Sequence, residues 1–169
     1  MRTLTIFFIS LFSLPLVLNA QSVDEMLQKV SAAIEAGQNG QAVSYFRQTI
    51  ALNIDRTEMY YWTNVDKNSE ISSKLATELA LAYKENRNYD KAYLFYKELL
   101  QKAPNIVDCL EACAEMQVCR GQEKDALRMY EKILQLEADN LAANIFLGNY
   151  YYLTAEQEKK KLETDYKKL

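Results

Sequence analysis

The sequence has no histidine, one tryptophan, four glycines and two prolines in 169 residues. Without histidine it lacks the commonest metal ligand and the side chain best suited to proton transfer near neutrality. So few turn-forming residues are hard to reconcile with many short strands, and they favour long helices joined by tight connections. No Gly-rich phosphate loop, nucleophile elbow or metal-ligand cluster is present. Acidic pairs such as Glu111 and Glu115 could serve acid–base chemistry only if desolvated, which an open surface would not achieve. The net charge is −3, so no basic field exists to hold a phosphate backbone, and nucleic acid is excluded as a partner. The sequence therefore reads as a non-enzymatic chain with no cofactor, no metal and no small-molecule substrate.

Cysteine is sparse too: Cys109, Cys113 and Cys119. No histidine or fourth cysteine completes a zinc set. Cys109 and Cys113 share a helix face, which presents the pair poorly for a bridge. Buried packing is the first expectation, with a redox pair as the alternative.

The first twenty residues stand apart. Arg2 is followed by an apolar run from Leu4 to Leu18, interrupted by Thr5, Ser10, Ser13 and Pro15, and then by Asn19, Ala20 and polar Gln21. A charged start, a short apolar stretch and a small residue before polar sequence make a signal peptide over residues 1–20. The run is shorter than the roughly 20 residues a membrane-spanning helix needs. Leu18 is larger than the residue usual two places before a cleavage site, so an uncleaved anchor is the alternative. No cysteine follows Ala20 to carry a lipoprotein anchor. The expectation is an exported protein, periplasmic or secreted, whose mature part does not span a membrane.

From residue 21 onward the chain repeats. Ala92 and Tyr96 return as Ala126 and Tyr130, and Leu79, Ala80 and Tyr83 return as Cys113, Ala114 and Gln117, all 34 residues apart. Ala42 with Phe46 is an earlier copy; Leu147, Gly148 and Tyr151 begin a later one. The polar turns Gly37-Gln38-Asn39-Gly40, Asn86-Arg87-Asn88 and Arg120-Gly121-Gln122 split each unit into two amphipathic helices. Ser22 with Glu25 fits a capping box, and Asn105 and Asn140 fit helix starts. A pair of this kind buries its apolar faces only by stacking on the next pair.

These residues resemble the tetratricopeptide repeat (TPR) family. Leu79, Ala80, Tyr83, Ala92, Tyr96 and Pro104 meet its motif over 73–106. Ala114, Gly121, Ala126 and Tyr130 meet it over 107–140, where Gln117 and Ala138 replace an aromatic and a proline. A first unit at 23–56 keeps Gly37, Ala42 and Phe46. A last unit at 141–169 keeps its first helix, while Lys160 and Thr164 occupy the places of the second helix's small and aromatic residues. The resemblance implies an all-α, right-handed helical-repeat solenoid of antiparallel helix pairs, three to four repeats over residues 21–169. It also implies a concave face, lined by the first helix of each unit, that binds a protein or peptide. On the family's pattern that face offers Lys74, Thr77, Leu81 and Lys84, then Asp108, Glu111 and Glu115, then Ile145, Asn149 and Tyr152. The acids of the middle group, at spacings of three and four, form a negative strip that would repel a peptide carboxylate and select a basic segment; the alternative is a solvated surface.

Ala42 and Ala92 are 50 apart rather than 34, which places an insert near 57–72. It opens with Tyr60, Tyr61 and Trp62, which either plug the gap between repeats or anchor a partner. The Lys- and Glu-rich tail from Thr154 reads as a solvating cap, with a basic docking strip at Lys159, Lys160 and Lys161 as the alternative. It carries no helix stop, as in a piece of a longer chain. The functional expectation is an interaction module, a scaffold or adaptor. The alternative is a structural subunit of a cell-envelope assembly docked through the aromatic insert, so the chain is either a monomer or part of a larger complex.

Overall fold

The computed structural model describes residues 22–168, and the signal-peptide segment lies outside them. The described residues form eight helices: α1 (Val23–Glu35), α2 (Asn39–Leu52), α3 (Ile54–Asn64), α4 (Glu70–Glu85), α5 (Tyr89–Lys102), α6 (Val107–Cys119), α7 (Glu123–Leu136) and α8 (Leu141–Tyr166). Helices α1 and α2, α4 and α5, and α6 and α7 are the paired units of an all-α helical-repeat solenoid of TPR type; α8 packs on α7.

Local chemistry sets most boundaries. Ser22 Oγ accepts the Glu25 N–H at 3.1 Å, and Asn88 and Asn140 cap α5 and α8 through Lys91 N–H and Ala143 N–H. Asn53 ends α2 and starts α3, its Oδ1 accepting the Arg56 N–H, so the two helices are separated by a single residue. Helix α6 departs from expectation. It starts at Val107, and neither Asn105 nor the N-cap residue Ile106 supplies a side-chain cap.

The three turns inside the helix pairs share one geometry. Gly37, Arg87 and Gly121 occupy equivalent places with φ of 69°, 58° and 71°. A residue in this left-handed region lets the chain reverse within a short turn.

The core divides into two clusters. The first joins α1 to α6 and contains Phe46, Tyr61, Leu75, Leu79, Ala92 and Phe95, all fully buried. The second joins α6, α7 and α8 around Leu110, Ala114, Ala126, Tyr130, Ile133 and Leu147. Helix α6 serves both, giving Cys113 and Met116 to the first and Leu110 and Ala114 to the second. Ala80, Ala92, Ala114 and Ala126 are each 0% exposed, as expected where two helix backbones close on one another.

Cys113 fills such a packing position, and burial, with a smaller contribution from Cys109, pushes its thiol up to about 12. Cys109 is half-buried and Cys119 exposed, so the expectation of buried packing applies to Cys113 alone.

Candidate functional site

Helices α4, α6 and α8 hold the residues that the repeat pattern assigns to the first-helix face. Lys74 is exposed and pairs with Glu70 of its own helix at 3.1 Å. Thr77 is half-buried and donates its hydroxyl to the Ser73 carbonyl at 2.9 Å. Leu81 is 43% exposed. Lys84 forms an ion pair with Glu115, which ties α4 to α6. Glu111 lies 3.5 Å from Asn140 Nδ2, at the start of α8. Asp108 and Asn149 are exposed, and Ile145 and Tyr152 are 55% and 65% exposed.

This geometry changes the electrostatic reading. Glu115 is neutralised locally by Lys84, so the negative strip is concentrated at Asp108 and Glu111. Leu81 of α4 and Ile145 and Tyr152 of α8 are large apolar side chains left open to water. The face combines exposed apolar side chains with a short acidic edge.

The insert is mostly structural. Helix α3 lies against α1, α2 and α4. Tyr60 shares a 2.7 Å hydrogen bond with Ser31, and burial raises its phenol above the ordinary value. Tyr61, expected either to plug the gap between repeats or to contact a partner, is 0% exposed and belongs to the core, which removes it as a partner contact. Its hydroxyl donates to Glu98 at 2.6 Å, and its ring meets Phe95 edge-on at 5.7 Å. Burial and the neighbouring Glu98 carboxylate both raise the Tyr61 phenol far above its ordinary range. Trp62 stacks on Phe95 at 5.3 Å, donates to Glu58 at 3.3 Å and stays 42% exposed. Of the three expected aromatics, Trp62 alone keeps a substantial open surface, beside Met59, which is 60% exposed.

A polar cluster pins α3 beside these contacts. Glu58 receives hydrogen bonds from Tyr83, Lys91 and Trp62. Burial pushes the Glu58 carboxyl up, but the bonds from these groups and the Lys91 charge outweigh it, and the net shift is downward. The same bonds, from Glu58 first and then Tyr83, raise Lys91 above the ordinary lysine range.

Helix α8 carries further surface beyond Ile145, Asn149 and Tyr152. Phe146 stacks on Tyr130 at 4.4 Å and holds α8 on α7. Beside it, Asn149, Tyr150 and Leu153 face Glu123 and Lys124 across a groove of about 420 Å³. The tail was expected to be a polar cap, yet Leu162 and Tyr166 are 71% and 80% exposed. Their spacing of four puts both on one face of the helix.

No family model matches the chain. A solved Bacteroides ovatus structure, described as that of a "putative protein binding protein", is 99% identical, with a TM-score of 0.81 over 88% of this chain and 72% of that one. An Arabidopsis OM64 TPR domain aligns with 18% identity and a TM-score of 0.44, covering 75% of this chain and 92% of that one. The TPR assignment rests on the paired helices and their 34-residue step rather than on that loose overlap. The chain is a TPR-like helical-repeat protein. It belongs to the family of the Bacteroides ovatus protein.

Proposed function

We propose that the protein is an exported interaction module that docks a peptide or partner protein on its first-helix face. The observation that carries this reading is the open apolar set Leu81, Ile145 and Tyr152 beside the acidic edge Asp108 and Glu111. The related Bacteroides ovatus protein, described as protein-binding, supports the same class. The reading is of a scaffold without catalysis, supported by acids on this face that are open to water or already hydrogen-bonded. No helix among the described residues is long and apolar enough to cross a membrane, which accords with a mature protein acting outside a bilayer. Cleavage after Ala20 is the matching expectation, so N-terminal sequencing of the secreted protein should begin at Gln21, and recovery of intact Met1 would contradict export by cleavage.

The test of the face uses a partner isolated from the envelope fraction of the native cell. A segment with Lys or Arg near its middle suits the acidic edge, and such complementarity acts mainly on encounter rate. Glu111→Lys should slow association about tenfold, and added salt should slow the parent. Because Lys84 already neutralises Glu115, Glu115→Lys should slow it further by setting two lysines side by side. The half-exposed pair Met59 and Trp62 supports a second reading, an envelope subunit docked through the insert. That reading gains if Trp62→Ala abolishes binding while Glu111→Lys changes nothing, the result that would end the first.

A further inference from the structure

The first-helix face repeats its geometry from unit to unit. Helices α4, α6 and α8 run parallel, each joined to the next through an antiparallel second helix. The Lys84–Glu115 pair fixes α4 against α6, and the Glu111–Asn140 contact fixes α6 against α8. One helical turn back from the first link, Leu81 comes level with Glu111. One turn beyond the second link, Ile145 follows Asn140 along α8. An apolar side chain, an acid and an apolar side chain therefore succeed one another across α4, α6 and α8. Openness at these places belongs to the repeat. Thr77, Glu111 and Ile145 are equivalent at 34-residue steps, and the first two stay only half-buried although another first helix packs beside each. Leu81 is 43% exposed with α6 beside it.

The charges on this face are unequally spent. Lys84 answers Glu115, whereas Glu111 meets Asn140 alone, at 3.5 Å, and Asp108 is exposed without an ion pair among the described residues. The centre of the face thus offers carboxylates that a single Lys or Arg would satisfy. An amphipathic helix would lay a continuous apolar stripe over them, and burying a charge without a partner is costly. A segment in the extended polyproline II conformation touches a surface with one residue in three, so each side chain can match its own place. Neighbouring helix axes lie about 8–10 Å apart, which sets Leu81 and Ile145 on the order of 20 Å apart across α6. About six residues of polyproline II, at roughly 3.1 Å each, span that distance.

Resting on the docking face proposed above, we propose that its ligand is an extended segment of a partner protein, with Lys or Arg at the centre and a large apolar residue three positions to either side. Leu81 receives one apolar residue and Ile145 the other. Glu111, with Asp108 beside it on α6, receives the cation between them. The apolar anchors supply most of the affinity, and the central charge pair sets partner choice.

The test uses labelled synthetic peptides read by fluorescence anisotropy. The first carries Leu, Lys and Leu at three-residue steps on an otherwise proline-rich backbone. Three controls replace its Lys by Glu, move one Leu next to the Lys, or set Leu, Lys and Leu at seven-residue steps on a helix. The first peptide should bind saturably, and each control at least about tenfold more weakly. Leu81→Ser and Ile145→Ser should each weaken the first peptide about tenfold; both side chains are open to water, so the fold should be spared, which circular dichroism checks. Glu111→Lys should reverse the preference between the Lys and Glu peptides. Equal binding of the peptide with the displaced Leu, or equal or tighter binding of the helical one, overturns the proposal. The docking face itself survives that result if Glu111→Lys still alters affinity. Peptide binding that ignores Glu111→Lys overturns both. Absence of saturable binding by the first peptide also overturns the proposal, and the face then stands or falls on the partner isolated from the envelope.

Discussion

At the residue scale, the three equivalent turn positions form an internal experiment. Gly37 and Gly121 take a positive φ without steric cost, whereas Arg87 takes the same conformation with a Cβ. A side chain in the left-handed region costs about 1–2 kcal/mol, partly offset by the greater freedom that glycine loses on folding. Arg87→Gly should therefore stabilise the fold by about 0.5–1 kcal/mol, read as a rise in the denaturant midpoint. Gly121→Ala should destabilise by a similar amount. A lower midpoint for Arg87→Gly would mean that the Arg87 side chain contributes more than its backbone strain removes. The buried alanines act in the opposite sense. Ala92 and Ala126 are 0% exposed between closing helices, so Ala92→Leu and Ala126→Leu should each cost about 1–3 kcal/mol through overpacking. Thermal melts that overlay the parent would show that the contacts can relax around the added methylenes.

At the element scale, α3 is the feature that separates this chain from a regular repeat array. It is held by apolar contacts of Tyr61 and Trp62 with Phe95 and by the polar cluster of Glu58, Tyr83 and Lys91. The folded Glu58 carboxyl lies below its ordinary value, so its stabilisation is present above the usual carboxylate range and lost as pH falls through that lower folded value. Lys91 is raised, so its part is present below the ordinary lysine range and lost only in strong alkali. The lock is therefore intact at neutral pH and loosens in acid. Trp62, the sole tryptophan, lies on α3 and reports the event. Its fluorescence should change with a midpoint below the ordinary glutamate range, and Glu58→Gln should remove that acid transition. A transition unchanged in Glu58→Gln would assign it to another carboxylate. The insert's position was legible because a 50-residue gap broke a 34-residue step. Its packing role was legible only as one of two alternatives, because Tyr61 finds Glu98 and Trp62 finds Phe95 across tens of residues, and periodicity carries only local information. The candidate face divides in the same way. The acids of α6 were visible as a pattern, while the Lys84–Glu115 pair depends on how α4 and α6 stack.

At the scale of the whole molecule, a repeat array has no single centre, and its stability is the sum of units and the contacts between neighbours. Here those contacts are uneven. Helices α4 and α5 lie inside the larger cluster, with neighbours on both sides. Helix α7 lies in the smaller cluster, which reaches the larger through α6 and partly buried Leu100 and Met129. Helix α8 has no buried residue after Leu147 among those described, so its outer half is held by helical hydrogen bonds and pairs within its own surface. Isolated helical segments of that length are marginal in water. Opening free energies should therefore rank by position. Native-state hydrogen exchange should be slowest in α4 and α5, faster in α7, and fastest in α8 beyond Thr154. One common exchange free energy across all helices would show that the two clusters unfold as a single cooperative unit. The uneven burial between α4 and α8 would then have no counterpart in local stability.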